Sequence, residues 1–77
     1  MEINEKVQVL RKSKGISQTF MAEHLGISIS GYNMKEHGRR PISIKELEMI
    51  SDLLGVNVSY FFEDKFHVKC NFGKEVG

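Results

Sequence analysis

Four glycines, at positions 15, 26, 38 and 55, divide most of this chain into stretches whose apolar residues recur at helical spacing. Glycine commonly stands just past a helix end, because the left-handed backbone needed there carries no steric penalty without a Cβ. The intervals therefore read as short helices joined by tight turns. The first is expected over about residues 2–14, with Ile3, Val7 and Leu10 on one apolar face. The second follows Ile16, with Ser17 as N-cap and Phe20, Met21, Ala22 and Leu25 supplying apolar contacts. Ser28 caps a third, running from about Ile29 to His37. Ser43 and Glu46 spell the S-x-x-E capping box of a fourth, with Ile42 and Leu47 at the staple positions. Leu47, Ile50, Leu53 and Leu54 give that helix a wide apolar stripe. A short fifth helix is expected near Asn57, carrying Tyr60, Phe61 and Phe62 into the core. The expected fold class is all-α: five short helices around one core.

With 77 residues there is room for one domain, expected over 1–63 and followed by a tail over 64–77. A chain of this size buries only about 60% of its unfolded surface, so its core must be economical. Forty per cent apolar residues, 27% charged and a single Pro argue for a folded domain rather than disorder. No apolar run approaches the roughly 20 residues that cross a membrane. The N-terminal stretch MEINEKVQVLRKSKG has polar residues throughout and does not read as a signal peptide. Cys70 stands alone, so no internal disulfide is expected and a cytoplasmic setting fits.

In the tail, Phe66, Val68, Cys70 and Phe72 alternate with Lys65, His67, Lys69 and Asn71. Period two marks a half-buried strand, and an isolated strand needs a partner. Pairing with the same segment of a second subunit and a disordered tail both remain open at this point. His67 and Cys70 lie three apart, but two potential ligands make a poor zinc site. No metal or other cofactor, and no small-molecule ligand, is expected. There is no glycine-rich phosphate loop and no nucleophile with a spaced His and acid, so an enzyme is not expected.

The net charge of +1 conceals a division along the chain. Residues 1–10 carry one Lys against two Glu, a balance of −1. Residues 11–45 carry seven Lys and Arg against Glu23 and Glu36, a balance of +5. Residues 46–77 carry three Lys against six acids, a balance of −3. Such a dipolar layout suits a chain that turns a basic face to a polyanion, although charge of this kind can also be ordinary solvated surface.

Residues 16–38, ISQTFMAEHLGISISGYNMKEHG, place a helix, a short turn containing Gly and a second helix in succession, which is the helix-turn-helix layout. Ala22, Leu25, Ile27 and Tyr32 are the inward positions that must be small or apolar for the two helices to pack. Here the chain resembles the Cro/CI-type, or XRE, family of bacterial and phage regulators. The matching residues are LRKSKGISQ (10–18), MAEHLGIS (21–28), the turn Glu36-His37-Gly38-Arg39-Arg40-Pro41, and LGVNVSYFF (54–62). The likeness covers roughly residues 3–62 and implies a lambda-repressor-like DNA-binding domain.

The resemblance implies roles by position. Ile29, Ser30, Asn33 and Met34 would face base edges in the major groove, with Asn suited to adenine and the apolar pair to thymine methyls. Ile29 and Met34 could instead be core residues. Ser17 and Gln18 would receive a phosphate at a helix N-terminus. Lys35, His37, Arg39 and Arg40 would follow the sugar-phosphate strand. Arg11 and Glu36 would join the first and third helices by an ion pair. The chain departs from the family at positions 34 and 35, often basic and bulky apolar, where it has Met34 and Lys35. Lys35 would then lay its stem over the core or send its charge to a phosphate. With no Arg or Gln at the reading positions, direct readout is expected to be sparse, with reliance on DNA shape. The implied function is that of a repressor or phage-type switch bound to double-stranded DNA as a homodimer. Its brevity leaves no expected space for a sensing domain, so control would come through concentration or a partner. The rival reading is a protein-interaction module that uses the same scaffold to bind another regulator.

Overall fold

The computed structural model describes residues 1–63, and the expected pairing of Phe66, Val68, Cys70 and Phe72 lies outside them. Four α-helices follow one another: α1 (Ile3–Ser13), α2 (Gln18–Leu25), α3 (Ile29–Glu36) and α4 (Ile44–Leu54). The fifth helical segment, Val58–Phe62, is a 3-10 helix, and no strand occurs among the described residues.

Local chemistry accounts for the boundaries. The Ser17 hydroxyl accepts from the Phe20 N–H at 3.0 Å, and the Ser28 hydroxyl from the Gly31 N–H at 2.9 Å. Each satisfies one of the donors that a helix N-terminus leaves without an intrahelical partner. Ser43 and Glu46 close both arms of their capping box. All four punctuating glycines take φ between 70° and 74°. Gly26 ends α2 in the left-handed conformation so that the chain can turn into α3.

The core is built from one face of each element. Val7 and Leu10 of α1, Met21 and Ala22 of α2, Tyr32 of α3, Leu47, Ile50 and Leu54 of α4, and Phe61 are its buried members. Ile42, at the staple position before Ser43, packs against it with Ile3, Leu25 and Ile27. Two expectations need correction. Phe20 does not serve the core: Met21, Ala22 and Leu25 occupy that side of a two-turn helix, and Phe20 lies exposed against His24 with ring centroids 4.1 Å apart. Phe62 is also outside, 56% exposed, with Tyr60 half-buried. A 3-10 helix has three residues per turn, so three consecutive side chains diverge by about 120°: Phe61 is fully enclosed, Tyr60 packs partly against the core and Phe62 faces out.

Candidate nucleic-acid interface

α3 shares only one apolar side chain, Tyr32, with the buried core. The rest of its anchorage is polar. Glu36, at its C-terminal end, is 1% exposed and receives a bidentate grip from Arg11 of α1: Nε donates to Oε2 at 2.5 Å and Nη2 to Oε1 at 3.2 Å. The remaining Arg11 donor, Nη1, reaches the Ile16 carbonyl at 2.6 Å, tying the same guanidinium to the connection before α2. A third donor, Gln18 Nε2, meets Glu36 Oε1 at 3.0 Å. Burial pushes the Glu36 carboxyl upward, but hydrogen bonds from Arg11 and Gln18, with the Arg11 charge, outweigh it and hold the group below the usual carboxylate range. The Tyr32 hydroxyl is buried beside this pair without a partner at hydrogen-bonding geometry among the described residues. Burial, then the neighbouring carboxylate, push its acidity well down.

Two further residues, Asn4 and Lys35, fix the C-terminal end of α3. Asn4 Nδ2 donates to the Glu36 carbonyl at 3.0 Å, capping the helix from α1 across 32 residues of sequence. Gly38 lies under it: a Cβ there would stand 3.3 Å from Asn4 Nδ2 at a φ of +74°, so the turn needs glycine twice over. On the α4 side, Lys35 Nζ donates to the Pro41 carbonyl at 2.9 Å and to Glu46 Oε1 at 3.0 Å. Glu46 is held below its ordinary range first by the Ser43 backbone N–H, against a smaller opposing effect of burial, and then by Lys35.

This anchorage leaves the opposite side of α3 outward. Ile29, 49% exposed, and Ser30, also exposed, form its leading turn, with Asn33 and Met34 half-buried one turn later. Ile29 is therefore not a core residue. Ser17 is exposed at the start of α2 and Gln18 is half-buried beside it. Gln18 also joins the two helices, because its Oε1 accepts from Asn33 Nδ2 at 3.3 Å. Past α3, His37, Arg39 and Arg40 are exposed, and among the described residues neither arginine has an acidic partner. His37 Nδ1 lies 2.8 Å from the Asn33 carbonyl, which can only accept, so Nδ1 carries the hydrogen. Lys35 differs from these cations, since its charge is committed inside the protein rather than left open to a phosphate.

Two positions outside the sequence-derived set, Asn4 and Lys6, and one within it, Gln18, prove structurally important in ways the sequence does not show. Asn4 gave no signal, because its target lies 32 residues away. Gln18 was singled out at the helix start, but its bridging of Glu36 and Asn33 was not. Lys6, 8% exposed, donates to the Phe61 carbonyl at 2.9 Å and the Glu63 carbonyl at 3.1 Å, fastening the 3-10 helix to α1. Its place beside Val7 on a helix that docks through Val7 and Leu10 was the available clue.

Comparison with known proteins agrees with this architecture. Residues 7–61 match the family model described as Helix-turn-helix. A stretch of 59 residues is 37% identical to the SPbeta prophage-derived HTH-type transcriptional regulator YonR of Bacillus subtilis (strain 168), covering 77% of this chain and 55% of that protein. Over 59 residues the chain is 36% identical to the HTH-type transcriptional regulator RamB of Mycobacterium tuberculosis, covering 77% of this chain but 12% of RamB. An HTH-type transcriptional regulator of Sinorhizobium medicae is 33% identical over 64 residues, 83% of this chain and 46% of that one. The chain thus spans about half the length, or much less, of these relatives. No solved structure matches it significantly. Among the described residues no helix is long and apolar enough to cross a membrane. The match over 7–61, on a fold with α2 and α3 joined through Gly26, shows that the chain belongs to the helix-turn-helix family, of the Cro/CI or XRE type that its residues resemble.

Proposed function

We propose that the chain is a sequence-specific transcriptional regulator that inserts the leading part of α3 into the major groove of double-stranded DNA. The observation that carries this reading is the two-sidedness of α3: a side locked by Arg11, Gln18 and Lys35, and an outward side bearing Ile29, Ser30, Asn33 and Met34. In a helix-turn-helix the second helix presents its N-terminal residues to base edges while the first crosses the backbone. Ser17 and Gln18, with the N-terminus of α2, would meet one phosphate, and His37, Arg39 and Arg40 the strand beyond. Lys35 belongs to fastening in this reading, which narrows the phosphate set. Two copies on a two-fold site would set their α3 helices about 34–36 Å apart. The alternating apolar residues Phe66, Val68, Cys70 and Phe72 supply a route to that homodimer, and a phage-type switch or repressor is the role it would serve.

Binding to the promoter DNA flanking its own gene, titrated against salt, tests the reading. A site-specific complex whose affinity falls steeply with salt is expected, because each phosphate neutralised adds about 0.9 to the logarithmic slope. Weak binding to every duplex, unchanged in Asn33→Ala and Arg40→Ala, would instead favour the module that binds another regulator. That second reading draws on one observation: Ile44 and Phe62, 67% and 56% exposed, line a groove with Ile3, Ile42 and Leu47, flanked by Glu2, Asn4 and Arg40.

A further inference from the structure

The hydrogen bonds that run from Glu36 to Asn33 have a direction, and that direction bears on which base α3 can read. Glu36 is buried and ion-paired with Arg11, so its carboxylate is ionised and can only accept. The end of the Gln18 amide that faces Glu36 Oε1 at 3.0 Å must therefore be the nitrogen. The Gln18 oxygen is turned the other way, toward Asn33. An amide oxygen cannot donate, so Asn33 must present its own nitrogen to it, at 3.3 Å. The reverse setting of Asn33 would press two acceptor oxygens together. A buried charge pair thus sets the polarity of two amides in series, the second lying on the outward side of α3.

One of the two Asn33 Nδ2 hydrogens serves Gln18. The other, together with Oδ1, remains as an adjoining donor and acceptor. In the major groove adenine offers an acceptor at N7 beside a donor at N6, which this fork matches. Guanine offers two acceptors, N7 and O6, and leaves Oδ1 facing another oxygen. An unanchored Asn could swing between settings and would discriminate less. We propose that Gln18 is a specificity-determining positioning residue: oriented by the buried Arg11–Glu36 pair, it holds Asn33 in the donor–acceptor order that selects adenine. The inference rests on the DNA-binding reading above and names the base that reading leaves open. Gln18 acts here through Asn33, apart from any phosphate contact its helix end makes.

Selection from a randomised duplex pool tests it, comparing wild type with Asn33→Ala, Gln18→Met and Gln18→Ala, each first checked for its fold by circular dichroism. Wild type should enrich a site with an adenine column that Asn33→Ala abolishes. A good bidentate contact discriminates by about 5- to 150-fold, so Gln18→Met should lower adenine preference in that column by at least about fivefold. The remaining columns should keep their preferences. Gln18→Ala guards against Met filling the site in an unintended way and should give the same column-specific loss. Three results would overturn the inference: full adenine preference in both Gln18 variants, an equal loss across every column, or a wild-type site with no adenine dependent on Asn33. If wild type enriches no sequence at all, the DNA-binding reading falls with it, so the two failures are distinct.

Discussion

Arg11→Ala would remove both hydrogen bonds to Glu36 and the one to the Ile16 carbonyl, leaving a carboxylate 1% exposed with Gln18 as its remaining side-chain donor at hydrogen-bonding geometry. Breaking a buried pair from one side costs about 3–5 kcal/mol, because the surviving charge is stranded. The retained Gln18 bond points to the lower end, about 3 kcal/mol. Against a total of about 4–12 kcal/mol for a domain of this length, that is a large share. The cost should also depend on pH, and its sign follows from Glu36. In the wild type the folded carboxyl lies below its unfolded value, so its stabilisation is present above the unfolded pKa and is lost as pH falls through the folded one. Without Arg11 the upward push of burial is less offset, so the folded carboxyl should lie higher than in the wild type. The variant then gains stability relative to the wild type on acidification, as the buried group takes up a proton. Urea denaturation followed by circular dichroism at neutral pH and near pH 4 reads both effects. The gap between wild type and Arg11→Ala should be about 3 kcal/mol at neutral pH and clearly smaller at the lower pH. A gap under about 1 kcal/mol, as for an exposed pair, or one unchanged between the two conditions, would refute the reasoning.

Gly26→Ala forces a Cβ into the left-handed turn between α2 and α3 at φ +72°; it should cost about 1–2 kcal/mol and lower the melting temperature by roughly 5–15 °C. Lys6→Met keeps the stem but strips donors from the Phe61 and Glu63 carbonyls; a loss of about 1–3 kcal/mol, with faster amide exchange in Val58–Phe62 than in α4, is expected by hydrogen exchange. If Arg40 contacts a phosphate and Lys35 does not, Arg40→Ala should reduce the salt slope of DNA binding by about one charge, whereas Lys35→Met should lower stability and leave that slope unchanged; filter binding across a salt series separates them.

What the sequence disclosed and what it withheld follow a physical line. Caps and turns are local: Ser17, Ser28, Ser43 with Glu46, and the glycines act within four residues of where they stand, so their meaning is visible in the string. The resemblance at 10–18, 21–28 and 36–41 supplied the helix-turn-helix, and the family match confirms it. Contacts between distant elements leave no such trace. Asn4 to Glu36 and Lys6 to Phe61 and Glu63 join residues 32 to 57 positions apart. Phe20 and Phe62 misled for a related reason: hydrophobicity says that a side chain would gain from burial, while the phase of a short helix decides whether it can be buried. Lys35, where the family often has a bulky apolar residue, settles into an ion pair with Glu46, a residue whose sequence signal was its role in the capping box.

An eight-residue helix that contributes only Tyr32 to the buried apolar core cannot be positioned by packing alone, and its polar contacts supply what packing does not. Those contacts carry geometry as well as energy, which makes stability and specificity separable. In a double variant, Arg11→Met with Glu36→Leu, two apolar side chains of similar volume replace the buried pair. Such replacements are often neutral or stabilising by about 1–4 kcal/mol, since the desolvation cost of both charges disappears. The double variant should therefore recover most of what Arg11→Ala loses. Gln18, however, would have no carboxylate to orient it, and Asn33 no fixed acceptor. Denaturation should show a stable domain, while selection from randomised duplexes should show the adenine column weakened as in Gln18→Met. A double variant that is both stable and fully discriminating would mean that α3 is held in register by its apolar contacts after all, with Glu36 no more than a buried charge the fold tolerates.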